Sequence, residues 1–267
     1  MPSPMNRLIA LAGDLAAPLV NCRLWITLGW LTIVQNYRRT SLGPWWITAN
    51  LAIFVLAITL VYGSLFSIPA KEYSAYLLGG MIAWYWVSAL LNDVGNTFLS
   101  YSHFIKSTAI DKAQLVWATV FRLFVTFAHH FILVIAYIVF GIIHFNHYTL
   151  QIIPAVVLLF LFSVPVTAVA AILFARYRDL QRFVGSAVII IMMVTPIFWQ
   201  PNMIKGWRGA FVDINPIHYL IELIRRPLLG QPLETSTLTV VCVLTVLAWI
   251  GGTLFFRRYQ RYVVFWV

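Results

Sequence analysis

Acidic side chains are scarce in this sequence: 8 Asp and Glu stand against 18 Lys and Arg, and the charged residues together make up 10% of the 267 positions. Ordinary soluble domains carry about 25% charged residues, so a solvated surface of the usual size is excluded. Cysteine is nearly missing as well. Cys22 and Cys242 stand far apart with no CxxC pair, which excludes a disulfide framework and a thiolate metal site. No GxxxxGK[ST] occurs, so the chain carries no phosphate-binding loop of its own. Asp93, Asp111 and Asp179 are scattered and form no DxD, and no Ser/His/Asp arrangement has a readable spacing. These absences argue against an enzyme, a lipid-linked glycosyltransferase included.

What is abundant is apolar: 61% of the residues are hydrophobic and 16% aromatic, with a mean hydropathy of +0.87. A spanning helix needs about 20 mainly apolar residues, and six segments approach that, near 47–66, 76–94, 115–142, 152–175, 184–200 and 238–256. The expectation is an all-α integral membrane protein, with residues 1–45 as N-terminus and interfacial helix and 46–267 as a single membrane domain. The net charge of +10 reads as orientation in the bilayer and attraction to anionic headgroups rather than nucleic-acid binding.

Basic residues set the orientation, because they collect on the cytosolic side. With the N-terminus inside, the inner segments hold Arg7, Arg23, Arg38, Arg39, Lys106, Lys112, Arg176, Arg178, Arg182, Arg257, Arg258 and Arg261. The outer segments hold Lys71, Lys205, Arg208, Arg225 and Arg226. Both termini are therefore expected in the cytosol. The N-terminal apolar patch, broken by Asp14, is too short for the core of a signal peptide.

Before the first span, Leu24, Trp25, Leu28, Trp30, Leu31 and Val34 crowd a helix too short to cross. It reads as a helix lying in the inner interface, with an ordinary packed helix as the alternative. Its end, Arg38 and Arg39, is followed by Gly43, Pro44, Trp45 and Trp46, which read as a corner anchored at headgroup depth. Between the last two spans, Asn215 and Pro216 form a helix start. Glu222 lies three and four residues before Arg225 and Arg226, and Pro227 should end or kink the helix. Short helices that enter the outer half of the bilayer and turn back are expected there.

In the first inner loop, 96–114, Phe98, Tyr101, Phe104 and Ile105 fall at helical spacing in a segment that should be wet. Such a patch suits a helix docked in a partner's groove or one packed beneath the membrane domain itself. Arg178 and Asp179 sit in the second inner loop. Trp84, Tyr85, Trp86 and Trp199 are either interfacial aromatics or rings able to stack on sugars. His129 and His130 point about 100° apart on a helix and do not converge on one ion by themselves. Arg122, near the inner end of the third span, reads equally as a lipid-phosphate anchor or a functional contact.

Taken in order, "RRTSLGPWW", "FIKSTAIDKAQL", "FAHH", "ARYRDLQRFV", "TPIFWQP" and "NPIHYLIELIRRPLLGQP" resemble the ABC-2 type permeases that export bacterial cell-surface polysaccharide, O-antigen and galactan exporters in particular. Family members commonly carry a proline where this chain has Ile110-Asp111, and an Asn in place of His130. The resemblance implies six spans per chain, two copies forming a channel in the inner membrane, and two copies of a separate ATP-binding subunit holding ATP and Mg. It implies a polysaccharide cargo on undecaprenyl diphosphate. Phe98, Tyr101, Phe104, Ile105, Lys106, Arg178 and Asp179 would then couple to that subunit. Trp84, Tyr85, Trp86 and Trp199 would line the path, and Asn215, Pro216, Glu222 and Arg225 would form an outer gate.

Overall fold

The computed structural model describes residues 13–108, 110–203 and 209–267. Arg7, Lys205 and Arg208, which entered the charge asymmetry, lie outside the described residues. The described residues form helices and turns without a strand: α1 (Cys22–Tyr37), α2 (Trp45–Leu65), α3 (Ala70–Asn92), α4 (Thr97–Ser100), α5 (Ser102–Ser107), α6 (Lys112–Val139), α7 (Ile152–Arg176), α8 (Leu180–Val194), α9 (Ala210–Ile214), α10 (Pro216–Leu228), α11 (Thr235–Tyr259) and α12 (Val263–Trp266).

Five stretches are helical, long and apolar enough to cross a membrane: α2, α3 with its continuation to Ser100, α6, His147–Arg176 and Thr235–Trp266. The fifth expected span, 184–200, is corrected to α8, a helix of 15 residues. At 1.5 Å per residue it is about 22 Å long, short of a hydrocarbon core of about 30 Å. It stops because Thr195 is extended, with ψ 139°, as the residue before a proline tends to be. The apolar run continues through Ile197 and Phe198, but the helix does not.

α6 starts at Lys112 because Asp111 caps it, its Oδ1 accepting the Ala113 N–H at 2.9 Å. A carboxylate at this position satisfies a free amide of the first turn and favours the positive end of the helix dipole. Asp111 thus gives α6 its start.

α1 is packed on one face and open on the others. Trp25 is buried against Trp117 of α6, ring centroids 5.5 Å apart, while Leu24, Trp30, Leu31 and Val34 on other faces are exposed. Close approach is possible at Gly29, where a Cβ would lie 2.7 Å from the Ala118 carbonyl oxygen and 2.8 Å from Phe121. The chain then turns into α2 through two left-handed residues, Arg39 (φ 71°) and Gly43 (φ 55°). Pro44 caps α2, and Trp45 and Trp46 at its start are exposed.

Two apolar cores result. One unites α2, α3, the middle of α6 and α10 around Leu77, Leu78, Ile82, Phe127, Ile221 and Ile224. The other, at the end of the bundle where α1, α5 and α12 meet, gathers Leu15, Trp25, Phe98, Ile105, Trp117, Phe256 and Val263. We call this second end the basic end and the other the α10 end.

Candidate functional site

At the α10 end the structure buries a cation. Asn215 caps α10 through the Ile217 N–H at 3.0 Å and donates from its own amide to Thr195 Oγ1 at 3.0 Å, which ties the helix to the break after α8. Three turns on, Arg225 is 1% exposed. One of its terminal nitrogens donates to Glu222 Oε1 at 2.8 Å and to the Tyr76 hydroxyl at 2.7 Å, and the other to the Pro196 carbonyl at 2.8 Å. Its guanidinium also lies 4.0 Å from the centre of the Tyr76 ring. Tyr76 and Tyr73 of α3 in turn donate to the carbonyls of Trp199 at 2.9 Å and Phe198 at 2.7 Å. One arginine therefore holds α10, α3 and the segment 196–199 in a single arrangement.

The room for it comes from Gly79 and Gly80. A Cβ on Gly79 would lie 3.1 Å from the Arg225 side chain, and one on Gly80 would overlap its guanidinium. Glu222 pairs with Arg225 but not with Arg226, which reaches Glu234 at 2.6 Å and the Pro232 carbonyl at 2.9 Å instead. Pro227 lies inside α10, which ends one residue later. Asn146, which the sequence reading passed over, donates to the Gly230 carbonyl at 2.8 Å and anchors the turn beyond α10.

The aromatic candidates divide. Trp84 and Trp86 are 3% and 2% exposed. Trp86 donates its Nε1–H to Ser163 Oγ at 2.9 Å and meets the edge of Phe127 at 4.9 Å. Both indoles are enclosed by the chain's own helices and present no face to a cargo in this arrangement. Tyr85 stacks on His130 at 5.1 Å, and Trp199 is half-buried. His129 Nδ1 lies 2.8 Å from the Val125 carbonyl one turn back on its own helix, not on a neighbouring one. Among the described residues no three His, Cys, Asp or Glu side chains converge as metal ligands.

At the basic end the loop patch also divides. Phe98 and Ile105 are buried, and the Tyr101 hydroxyl shares a hydrogen bond of 2.7 Å with Thr32 of α1. These three side chains face the membrane domain, so they fasten the loop rather than present it. Phe104 is 51% exposed, and Lys106, Arg178 and Asp179 are exposed as well. α5 rests on α12, whose Trp266 lies beneath the Arg176 guanidinium at 5.1 Å. Arg122, read from sequence as a lipid anchor or a functional contact, meets Asp93 at 3.5 Å beside a polar cavity of about 310 Å³ that Thr32 and Tyr101 also line.

The sequence reading gave Tyr76, Gly79, Gly80, Pro196 and Asp93 no part in these contacts. The signals were present: an arginine within an apolar helix needs internal partners, and a Gly-Gly pair in mid-span marks a close approach.

Comparison with known proteins agrees with this architecture. The ABC-2 type transporter family matches over residues 23–229. Among curated proteins, an O-antigen export system permease protein RfbA of Klebsiella pneumoniae is 21% identical over 228 residues, covering 84% of this chain and 86% of its own. A protein of the same name from Myxococcus xanthus is 22% identical over 247 residues, covering 90% of this chain and 94% of its own. With a membrane bundle and a family match over most of its length, the chain belongs to the ABC-2 type transporter family, as a membrane subunit of a transporter.

Proposed function

We propose that this chain is the permease subunit of an ATP-driven exporter that moves lipid-linked, O-antigen-type polysaccharide across the bacterial inner membrane. The similarity to O-antigen export permeases along 84–90% of the chain carries this reading. In it, α8 crosses only together with the apolar segment 195–199 that follows it, which brings the crossings to six; α9 and α10 dip into the outer half of the bilayer, and both termini are cytosolic. A sugar hydroxyl stripped of water without a partner costs about 4–8 kcal/mol against an alkane, so the polymer needs a shielded path. With Trp84 and Trp86 enclosed, that path lies between two copies of the chain.

The ATP-binding subunits dock on α5 and the neighbouring loop through Phe104, Lys106, Arg178 and Asp179. Their closure is passed inward by the buried Phe98 and Ile105. At the outer side, Asn215, Pro216, Glu222 and Arg225 set the position of the gate. Deleting the gene should strip the surface of polysaccharide and leave lipid-linked polymer inside the cell, and the tagged chain should copurify with an ATPase. Undiminished surface polysaccharide would refute the cargo assignment.

Phe104→Glu is expected to leave the complex assembled and hydrolysing ATP while export falls to background, because a charge replaces an apolar docking contact whose burial contributes about 1.5–3 kcal/mol. Export at the parent rate from an assembled F104E complex would remove α5 from the coupling path.

A further inference from the structure

A cavity of about 330 Å³ at the basic end is lined by Arg176 from the end of α7, Arg258 and Tyr259 from α11, and Arg261, Tyr262 and Trp266 beyond it. Among the described residues, none of the three guanidiniums has a carboxylate within 4.0 Å. The neighbouring arginine differs: Arg257 meets Asp14 at 3.9 Å, and Asp14 also accepts from the Gln260 amide at 2.9 Å. What the three cavity arginines have instead is aromatic. Arg176 lies 5.1 Å from the Trp266 ring, Arg261 4.8 Å from that of Tyr262 and Arg258 5.9 Å from that of Tyr259. Ring faces orient a guanidinium without neutralising it.

Three exposed cations gathered around one hollow without a counter-charge repel one another until an anionic group enters. The surroundings say what that anion is attached to. Ile250 and Leu254, 57% and 63% exposed, precede Arg258 at four-residue spacing and so share its face of α11. Phe265, next to Trp266, is 80% exposed. A basic hollow at the foot of an apolar stripe matches a molecule with an anionic head and hydrocarbon chains. The volume is at the small end of ligand sites, about 300–1,000 Å³, which suits a headgroup rather than a whole lipid.

We infer that this cavity binds the net-negative phosphate headgroup of a membrane lipid, with its hydrocarbon chains along the Ile250–Leu254 stripe. The site rests on membership of a membrane family and not on the polysaccharide cargo. Bulk anionic phospholipid and a polyprenyl diphosphate carry the same recognisable chemistry.

Native mass spectrometry of the delipidated full-length chain tests it with three probes: phosphatidylcholine, phosphatidylglycerol and undecaprenyl diphosphate. A one-to-one adduct is expected with the anionic lipids and not with phosphatidylcholine. The combined variant R176Q/R258Q/R261Q should weaken binding about a hundredfold, about fivefold for each cation removed, and R257Q should leave it unchanged. Preference for undecaprenyl diphosphate would identify a carrier site, and equal binding of the two anionic lipids a structural-lipid site. The inference is overturned if R257Q weakens binding as much as the combined variant, or if the combined variant binds normally. It is equally overturned if that variant loses a copurifying protein partner with lipid binding intact, since the cavity would then be a protein dock. Melting temperatures of the variants, which should match the parent, separate lost binding from lost folding.

Discussion

Replacing Arg225 with leucine will lower the melting temperature of the purified protein by about 10 °C and abolish its activity, a loss of about 3–5 kcal/mol. Leucine fills much of the space but leaves Glu222, 14% exposed, without its cation, and the Tyr76 hydroxyl and Pro196 carbonyl without a donor. The cost comes mainly from what is orphaned, so removing the carboxylate as well should recover much of it. E222L/R225L is expected to melt within a few degrees of the parent, because a buried ion pair often contributes little more than apolar residues of similar volume. Stability and function should then part: the double variant folds, but the three-way link between α10, α3 and segment 196–199 is gone and transport stays impaired. If R225L melts with the parent, the buried pair does not hold these elements together.

Gly29→Val will detach α1 from α6. A Cβ there would lie 2.7 Å from a backbone oxygen, which cannot rotate away as a side-chain tip could. α1 and α6 must move apart, at a cost of about 1–3 kcal/mol for overpacking, and the Trp25–Trp117 contact and the Thr32–Tyr101 hydrogen bond go with it. Hydrogen exchange in α1 should accelerate about tenfold or more for that loss, while α10 amides keep their protection. Unchanged exchange in α1 would show that the helix tolerates the added bulk by a shift too small to matter. Gly29→Ser, with the same Cβ and less bulk, should fall between the two.

Much of the architecture was legible in the sequence because bilayer crossing imposes a length and a polarity that composition records directly. α2 and α6 fall within a few residues of the segments read from apolar runs. α8 does not, since Thr195-Pro196 stops the backbone while hydropathy continues across it. The start of α3 was placed late because Lys71 and Glu72 read as loop, although both belong to the helix. Side-chain destinations were harder to see. Helical spacing grouped Phe98, Tyr101, Phe104 and Ile105, but spacing alone does not say which faces are covered. The buried Arg225 was legible only as one partner of Glu222, because its other contacts come from residues 29 to 149 positions away in the chain.

The glycines of this chain also make a statement about inheritance. At Gly43 a Cβ would meet nothing within 4 Å, so only the backbone conformation resists substitution. That penalty is about 1–2 kcal/mol for an ordinary residue and less for asparagine, so lineages can exchange glycine for asparagine there with little consequence. Gly79 and Gly80 are different: any side chain added there meets Arg225. Gly80 cannot drift while the arginine remains, Gly79 can do so only if the arginine shifts, and the arginine cannot leave without cost while the half-buried Glu222 stays. The dependence runs one way: a descendant can lose the Glu222–Arg225 pair and keep both glycines, but one that carries a side chain at Gly80 will have lost Arg225 as well.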